Sequence, residues 1–150
     1  MLNFLSITLI LFVSSYDKSY GFEKTMNKID LETYNWTKRL LVINLKSQDK
    51  EKLSYVDNWL FANKCKIEDR NINIVFFKDF KNKKYKKPPF LKDFGFWLIG
   101  YDGEVKSFSL EEKFINEIFY LIDQMPIRKQ EMLMYKNCLL YTSDAADELS

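Results

Sequence analysis

Few side chains in this sequence are of a type that does chemistry. The 150-residue chain contains no histidine and two cysteines, Cys65 and Cys138. Ser-His-Asp and Cys-His catalysis, and ordinary zinc sites, therefore lack a residue type that they need. The four glycines form no Gly-rich loop that would hold a phosphate. The candidates that remain are thiols, paired carboxylates and a run of lysines.

The paired carboxylates are Asp102 and Glu104, which are two positions apart. They could ligate a metal ion, but Asp102 is already explained by the turn that Asp102-Gly103 predicts. We therefore expect no metal site and no cofactor.

The strongest charged feature is a lysine-rich segment that also contains Tyr85. Such a segment could bind phosphates, anionic lipid headgroups or acidic polysaccharide by charge neutralisation. The alternative is a solvated loop in a lysine-rich sequence. The candidate anion-binding residues are Lys81, Lys83, Lys84, Lys86 and Lys87.

The end of the sequence differs in composition from the rest. The string CLLYTSDAADE in residues 138–150 resembles a translated frame of a sequencing-library transposase adapter, and we exclude this segment from fold reasoning. Its three acidic residues then leave the count, so the net charge rises from +2 to about +5. Cys65 becomes the only cysteine, and no internal disulfide is expected.

The chain opens with MLNFLSITLILFVSS. Its apolar run, Phe4–Val13, is too short to span the roughly 30 Å hydrocarbon layer and is typical of a secretory signal peptide. Cleavage is expected after Ser15 or Gly21, and the length favours residues 1–21 as the signal peptide. No basic residue precedes the run, and a buried first helix or strand is the alternative.

The remaining chain is long enough for one domain. Residues 22–35 are polar with scattered apolar positions and predict a linker or N-terminal arm. The domain is expected over residues 36–132.

The first half of this domain predicts a βαβ unit. Arg39–Lys46 is an apolar run of strand length, typical of a parallel strand buried on both faces. Apolar residues at helical spacing predict a helix over residues 50–66. Asn71–Lys78 predicts the second strand, parallel to the first.

A long loop and a hairpin are predicted next. Residues 79–95 lack a sustained period and contain Pro88-Pro89. Two apolar runs, FWLIG and VKSFS, then flank Asp102-Gly103, which predicts a β-hairpin with a type I′ turn.

The last predicted element is an amphipathic helix. Ser109 and Glu112 have the spacing of a capping box. Pro126 should end the helix near Gln124 or Met125, because proline removes a backbone donor and clashes with the preceding turn. The apolar stripe consists of Phe114, Ile115, Ile118, Leu121 and Ile122.

The fold class follows from this order of elements, β-α-β, long loop, β-hairpin, α. It predicts an α/β domain, thioredoxin-like β-α-β-β-β-α, with a mixed sheet of about four strands.

Three stretches also carry a family resemblance: WTKRLL, LIGYDGEVK and LIDQMPIRKQEM. Over residues 30–132 the sequence resembles a bacterial secreted family of unknown function in the DUDES group, which is related to modules of animal extracellular-matrix and sushi-repeat proteins. The resemblance implies a thioredoxin-like fold and no established activity. The motif residues are Trp36, Arg39, Asp102, Gly103, Asp123, Met125, Pro126, Arg128, Glu131 and Met132.

The positions of the cysteines in the predicted fold indicate whether thiol chemistry is to be expected. A thioredoxin-like oxidoreductase needs a cysteine just after the first strand, where the helix N-terminus favours a thiolate. That place reads LKSQDKEKL, without cysteine, and the proline expected before the third strand is also missing. Cys65 is expected at the far end of the predicted helix, where the helix dipole disfavours a thiolate.

The segment LIDQMPIRKQEM permits two interpretations. Asp123, Arg128 and Glu131 could form ion pairs that hold the segment after Pro126 against the sheet. Alternatively, the segment presents an apolar binding surface, formed by Met125, Ile127 and Met132.

We therefore expect an exported, non-catalytic, thioredoxin-like binding module, secreted or periplasmic. Its partner would be an envelope or extracellular component, with no role for nucleic acid and with the membrane only as the export route. The alternatives are a degenerate peroxiredoxin-like thiol oxidoreductase that uses Cys65, and attachment to anionic surfaces through the lysine-rich segment.

Overall fold

A computed structural model describes residues 28–135 of the chain. The predicted signal peptide and the adapter-like segment lie outside these residues, as do residues 22–27 of the predicted arm. A final helix, α4, covers residues 126–135, up to the last described position. The elements before it are a 3₁₀ helix (Leu31–Tyr34), β1 (Arg39–Leu45), α1 (Lys50–Ala62), α2 (Lys64–Asp69), β2 (Ile72–Lys78), β3 (Gly95–Ile99), β4 (Val105–Ser109), a second 3₁₀ helix (Glu112–Asn116) and α3 (Ile118–Asp123).

The four strands form one mixed sheet in the order β2-β1-β3-β4. β1 pairs with β2 in parallel and with β3 in antiparallel, and β4 pairs with β3 in antiparallel. All seven residues of β1 are buried, because this strand is internal and covered on both faces. The predicted α/β class and mixed four-stranded sheet are confirmed, and the arrangement is consistent with a thioredoxin-like fold.

The helices cover one face of the sheet. Alternate residues of a strand point to opposite faces, and Leu41 and Ile43 of β1 belong to the cluster on the helical face. Val56 of α1 packs there with Ile118 and Ile122 of α3. The predicted stripe is buried except Leu121, which is partly exposed.

The opposite face is covered by the long loop and the first 3₁₀ helix rather than by an α-helix. Val42 and Trp97 of the sheet pack there against Tyr85 and Leu91 of the long loop and against Leu31. The segment predicted as a long loop therefore forms one layer of the core.

Two local predictions about helices are wrong. The helix predicted over residues 50–66 ends at Ala62, because the backbone of Asn63 leaves the helical conformation, with φ −111° and ψ 15°. The Asn63 side chain also donates to the Trp59 carbonyl at 2.9 Å. The capping box does not form. Ser109 belongs to β4, and its hydroxyl accepts from the amide of Glu111 rather than from Glu112.

The hairpin forms, but its type I′ turn does not. Such a turn needs positive φ at both central residues, and of the pair Asp102-Gly103 only Gly103 has it, at φ 80°. The loop instead closes with the Gly100 amide donating to the Glu104 carbonyl at 3.0 Å. A Cβ at position 103 would lie 2.5 Å from the Asn35 side chain, so the turn requires glycine for two reasons.

Among residues 28–135, no helix is both long enough and apolar enough to cross a membrane.

Candidate functional site

A buried arginine organises the end of the sheet where β1 begins. The Arg39 side chain is fully buried, and its guanidinium lies over the Tyr101 ring at 4.1 Å from the centroid. It donates to both carboxylate oxygens of Glu131 at 3.2 and 3.3 Å, and to the Arg70 carbonyl at 2.8 Å. One donor is left over, since Nε has no acceptor among the described residues.

A second buried arginine connects the same carboxylate to two more. Arg128 of α4 donates to Glu131 and to Asp123, each at 3.4 Å, and to the Asp69 carboxylate. Arg70 binds Asp123 through two hydrogen bonds of 2.9 and 2.7 Å. We call these six charged residues the arginine network: Arg39, Asp69, Arg70, Asp123, Arg128 and Glu131.

The electrostatics of the arginine network favour its charged state. Burial disfavours the charge on Arg128, but the nearby carboxylates of Asp69, Glu131 and Asp123 more than offset this and raise its pKa. Three guanidinium groups face three carboxylates, so the charges balance.

The arginine network supports the ion-pair interpretation of the C-terminal motif. Pro126 ends α3 and begins α4, where a proline at the first helical position loses no hydrogen bond. Arg128 and Glu131 then attach α4 to α2 and β1. Arg39, from the distant motif at the start of β1, joins them.

The apolar residues of that motif do not form one surface. Met125 and Ile127 line a groove together with Trp36, whereas Met132 lines a different cleft. The predicted surface of Met125, Ile127 and Met132 is therefore divided by the arginine network.

The groove has a volume of about 260 Å³ and lies between the start of β1, the hairpin loop and α4. We call it the Trp36 groove. It is lined by Trp36, Arg39, Gly100, Tyr101, Asp102, Lys106, Met125, Pro126 and Ile127.

Trp36 has an unusual conformation. Its backbone has φ 61°, a left-handed value that bulky residues rarely adopt. Its amide donates to the Tyr101 carbonyl at 2.6 Å, which holds it against the hairpin loop. Even so, Trp36 is 73% exposed.

The other motif residues lie in the hairpin loop. Asp102 accepts from the Glu104 amide at 3.1 Å and pairs with Lys106. Although burial disfavours its charge, the hydrogen bonds from Lys106 and Glu104 lower the pKa of Asp102. Among residues 28–135, no group of three or more His, Cys, Asp or Glu side chains is placed to hold a metal ion.

The predicted position of Cys65, at the far end of a long helix, is wrong. Because α1 ends early, the thiol lies in the first turn of the short helix α2 rather than at the end of a long helix. It is exposed and lines an open cleft of about 870 Å³ with Asn71, Tyr101 and Arg128.

At the opposite end of β1, the position of a thioredoxin cysteine is occupied by Ser47, Gln48 and Asp49. Asp79 accepts hydrogen bonds from the Ser47 amide at 2.9 Å and from its hydroxyl. β1 has seven residues, so its two ends are roughly 20 Å apart at ~3.3 Å per residue.

The lysine-rich segment is exposed but partly engaged. Lys86 pairs with Asp30 at 3.4 Å, and the ammonium of Lys87 lies 4.3 Å from the centre of the Phe80 ring. A hydrogen bond to Tyr85 raises the pKa of Lys84. Lys81 and Lys83 are exposed as well. Within the part of the chain that the structure describes, the five lysines do not surround one pocket.

Sequence reasoning missed three residues of this region. Asp69 ends α2, Arg70 follows it shortly before β2, and Tyr101 lies within the motif LIGYDGEVK. For Asp69 and Arg70, the available sequence signal was an acidic residue next to a basic residue shortly before a predicted strand. No local pattern indicates that an aromatic ring stacks on an arginine 62 positions away.

The fold and the site define the class of this protein. It is an α/β domain, consistent with a thioredoxin-like fold, in which the arginine network lies where β1 begins. The chain belongs to the family described as Domain of unknown function (DUF4174), whose model matches residues 30–131. Searches of curated proteins and of solved structures found no match. Membership of a family of unknown function is thus confirmed, while its bacterial and secreted character stays a prediction.

Proposed function

We propose that this protein is an exported, non-catalytic binding module that recognises an envelope or extracellular component through the Trp36 groove. The observation that carries the proposal is the exposed indole of Trp36, held with a left-handed backbone beside an apolar groove. Export is supported by the apolar run Phe4–Val13.

The proposal that the module is non-catalytic rests on the residues at the two ends of β1. Where thioredoxin-like enzymes need a thiol, Ser47 is hydrogen-bonded to Asp79. A carboxylate that accepts from this serine supplies no nucleophile for thiol-disulfide exchange. The arginine network also offers few free groups, since its guanidinium groups are occupied by carboxylates and carbonyls.

The binding part rests on exposed apolar groups from distant parts of the chain. Trp36 precedes β1, whereas Ile127 belongs to α4, and the arginine network holds these elements together. Tryptophan is enriched at the energetic centres of protein interfaces, because its ring provides a large contact area.

Photo-crosslinking tests the proposal. A photoreactive amino acid is introduced at position 127 in the groove, or at Phe61, which is 89% exposed on α1 and lies outside the groove. In cells that encode the protein, we expect a discrete cross-linked species in the envelope fraction from position 127 only. Equal cross-linking at both positions, or none at position 127, contradicts the proposal.

Cys65 gives the second candidate function, a thiol oxidoreductase. The observation in its favour is that the thiol is exposed and lines an open cleft, where a substrate could reach it. Replacement Cys65→Ser distinguishes this candidate from the binding module, which predicts no loss of function.

A further inference from the structure

The size of the Trp36 groove limits what it holds. Pockets for drug-sized ligands and cofactors have volumes of about 300–1,000 Å³, and this groove has about 260 Å³. A groove of this size accommodates one or two side chains of a polypeptide. Most of its walls are apolar, with Met125, Pro126 and Ile127 on one side and the Trp36 indole on the other.

The backbone of Trp36 gives an independent indication. A left-handed conformation in a bulky residue costs about 1–3 kcal/mol. The hydrogen bond from its amide to the Tyr101 carbonyl helps to hold this backbone, but the ring itself is not buried and is 73% exposed. The strain therefore presents an indole ring to solvent, and strained residues of this kind cluster at ligand-binding sites.

The charges at the hairpin side of the groove favour a cationic partner. Lys106 pairs with both Asp102 and Glu104, at 2.5 and 3.0 Å. One ammonium thus faces two carboxylates, which leaves one excess negative charge. Asp102 lines the groove, whereas Glu104 is exposed on the hairpin loop beside it.

We propose that the Trp36 groove binds an extended, proline-rich segment of a partner polypeptide with a basic side chain beside its prolines; this rests on the proposed function. Polyproline II segments have no internal hydrogen bonds and little conformational entropy to lose, and they dock in aromatic-lined grooves. A proline ring packs on the indole of Trp36, and a free carbonyl accepts from its N–H. The basic side chain meets Asp102 and Glu104.

Titration followed by NMR of the tryptophan indole N–H signals tests this inference. The probe is an acetylated, amidated peptide of four Pro-Pro-Arg repeats, compared with peptides of Pro-Pro-Glu and Gly-Ser-Arg repeats. We expect the Pro-Pro-Arg peptide to shift the Trp36 signal saturably. Trp59 and Trp97 are buried and serve as internal controls.

Three variants sharpen the test. Trp36→Gly should weaken binding by about tenfold or more, which corresponds to ~1.4 kcal/mol, and it should fold at least as well as wild type because glycine adopts positive φ without strain. Glu104→Gln should reduce the preference for arginine over glutamate peptides severalfold. Phe61→Ala, which removes an exposed aromatic ring outside the groove, should leave binding unchanged.

Several outcomes would overturn the inference: no saturable shift with the Pro-Pro-Arg peptide, equal affinity for all three peptides, or unchanged affinity in Trp36→Gly. If the peptides fail while photo-crosslinking at position 127 succeeds, the binding module stands and the proline-rich partner is wrong. If both fail, the proposed function is wrong as well.

Discussion

Glu131 is the position where the arginine network is most sharply tested. Its carboxylate accepts from Arg39 at 3.2 Å and from Arg128 at 3.4 Å, so Glu131→Ala removes the acceptor of two buried arginines. Arg39 would keep its contact with Tyr101 and its hydrogen bond to the Arg70 carbonyl. It would lose its only carboxylate among the described residues.

The expected cost follows from burial. Removing one partner of a buried ion pair costs about 3–5 kcal/mol, because the other charge stays buried and uncompensated. The Glu131 side chain is 31% exposed, so water partly replaces it, and we expect the lower end, about 3 kcal/mol. Urea denaturation, followed by the fluorescence of buried Trp59 and Trp97, should show a midpoint lower by about 1–3 M.

Glu68→Gln is the matched control. Glu68 pairs with Lys64 at 4.0 Å, and both side chains are largely exposed, so its loss should cost about 0–1 kcal/mol. The double replacement Arg39→Met with Glu131→Leu should be more stable than Glu131→Ala, since it leaves no buried charge unpaired. A cost for Glu131→Ala no larger than that for Glu68→Gln would refute the view that Glu131 compensates Arg39.

Three further predictions concern the rest of the fold. Hydrogen bonds from the hydroxyl and amide of Ser47 lower the pKa of Asp79 below its ordinary 3.8. The contribution of Asp79 to stability is therefore present above that value and is lost as pH falls through the folded pKa. The difference in stability between wild type and Asp79→Asn, measured by urea denaturation, should shrink below pH ~4. Gly103→Ala should cost about 1–3 kcal/mol because of positive φ and the contact with Asn35; an unchanged urea midpoint would contradict this. Leu91→Ala should cost about 2–5 kcal/mol in thermal or urea unfolding, whereas a loop outside the core would lose almost nothing.

The strands were predictable because their signals are local. Arg39–Leu45 contains the continuous apolar run Leu40–Ile43, and such a run is typical of an internal strand that is buried on both faces. The end of α3 was predictable from Pro126 alone, because proline cannot continue a helix. These features need no information from distant parts of the chain.

The missed features depend on partners that are far apart in sequence. Arg39 meets Glu131 across 92 positions, and only the folded chain brings them together. Leu91 looked like a loop residue because the sheet face that it covers belongs to other segments. The helix break at Asn63 lies within a stretch of helical apolar spacing, so periodicity did not indicate it.

Thiol turnover is the most direct measurement of the central claim, that this domain binds without catalysing. The reduced full-length chain and its Cys65→Ser variant would be assayed for peroxide consumption and for reduction of a disulfide substrate. We expect both proteins to match the rate without protein, because Cys65 lies in α2 and not after β1, where a thioredoxin-like fold activates a thiol. Turnover by the wild-type chain that disappears in Cys65→Ser would contradict the claim.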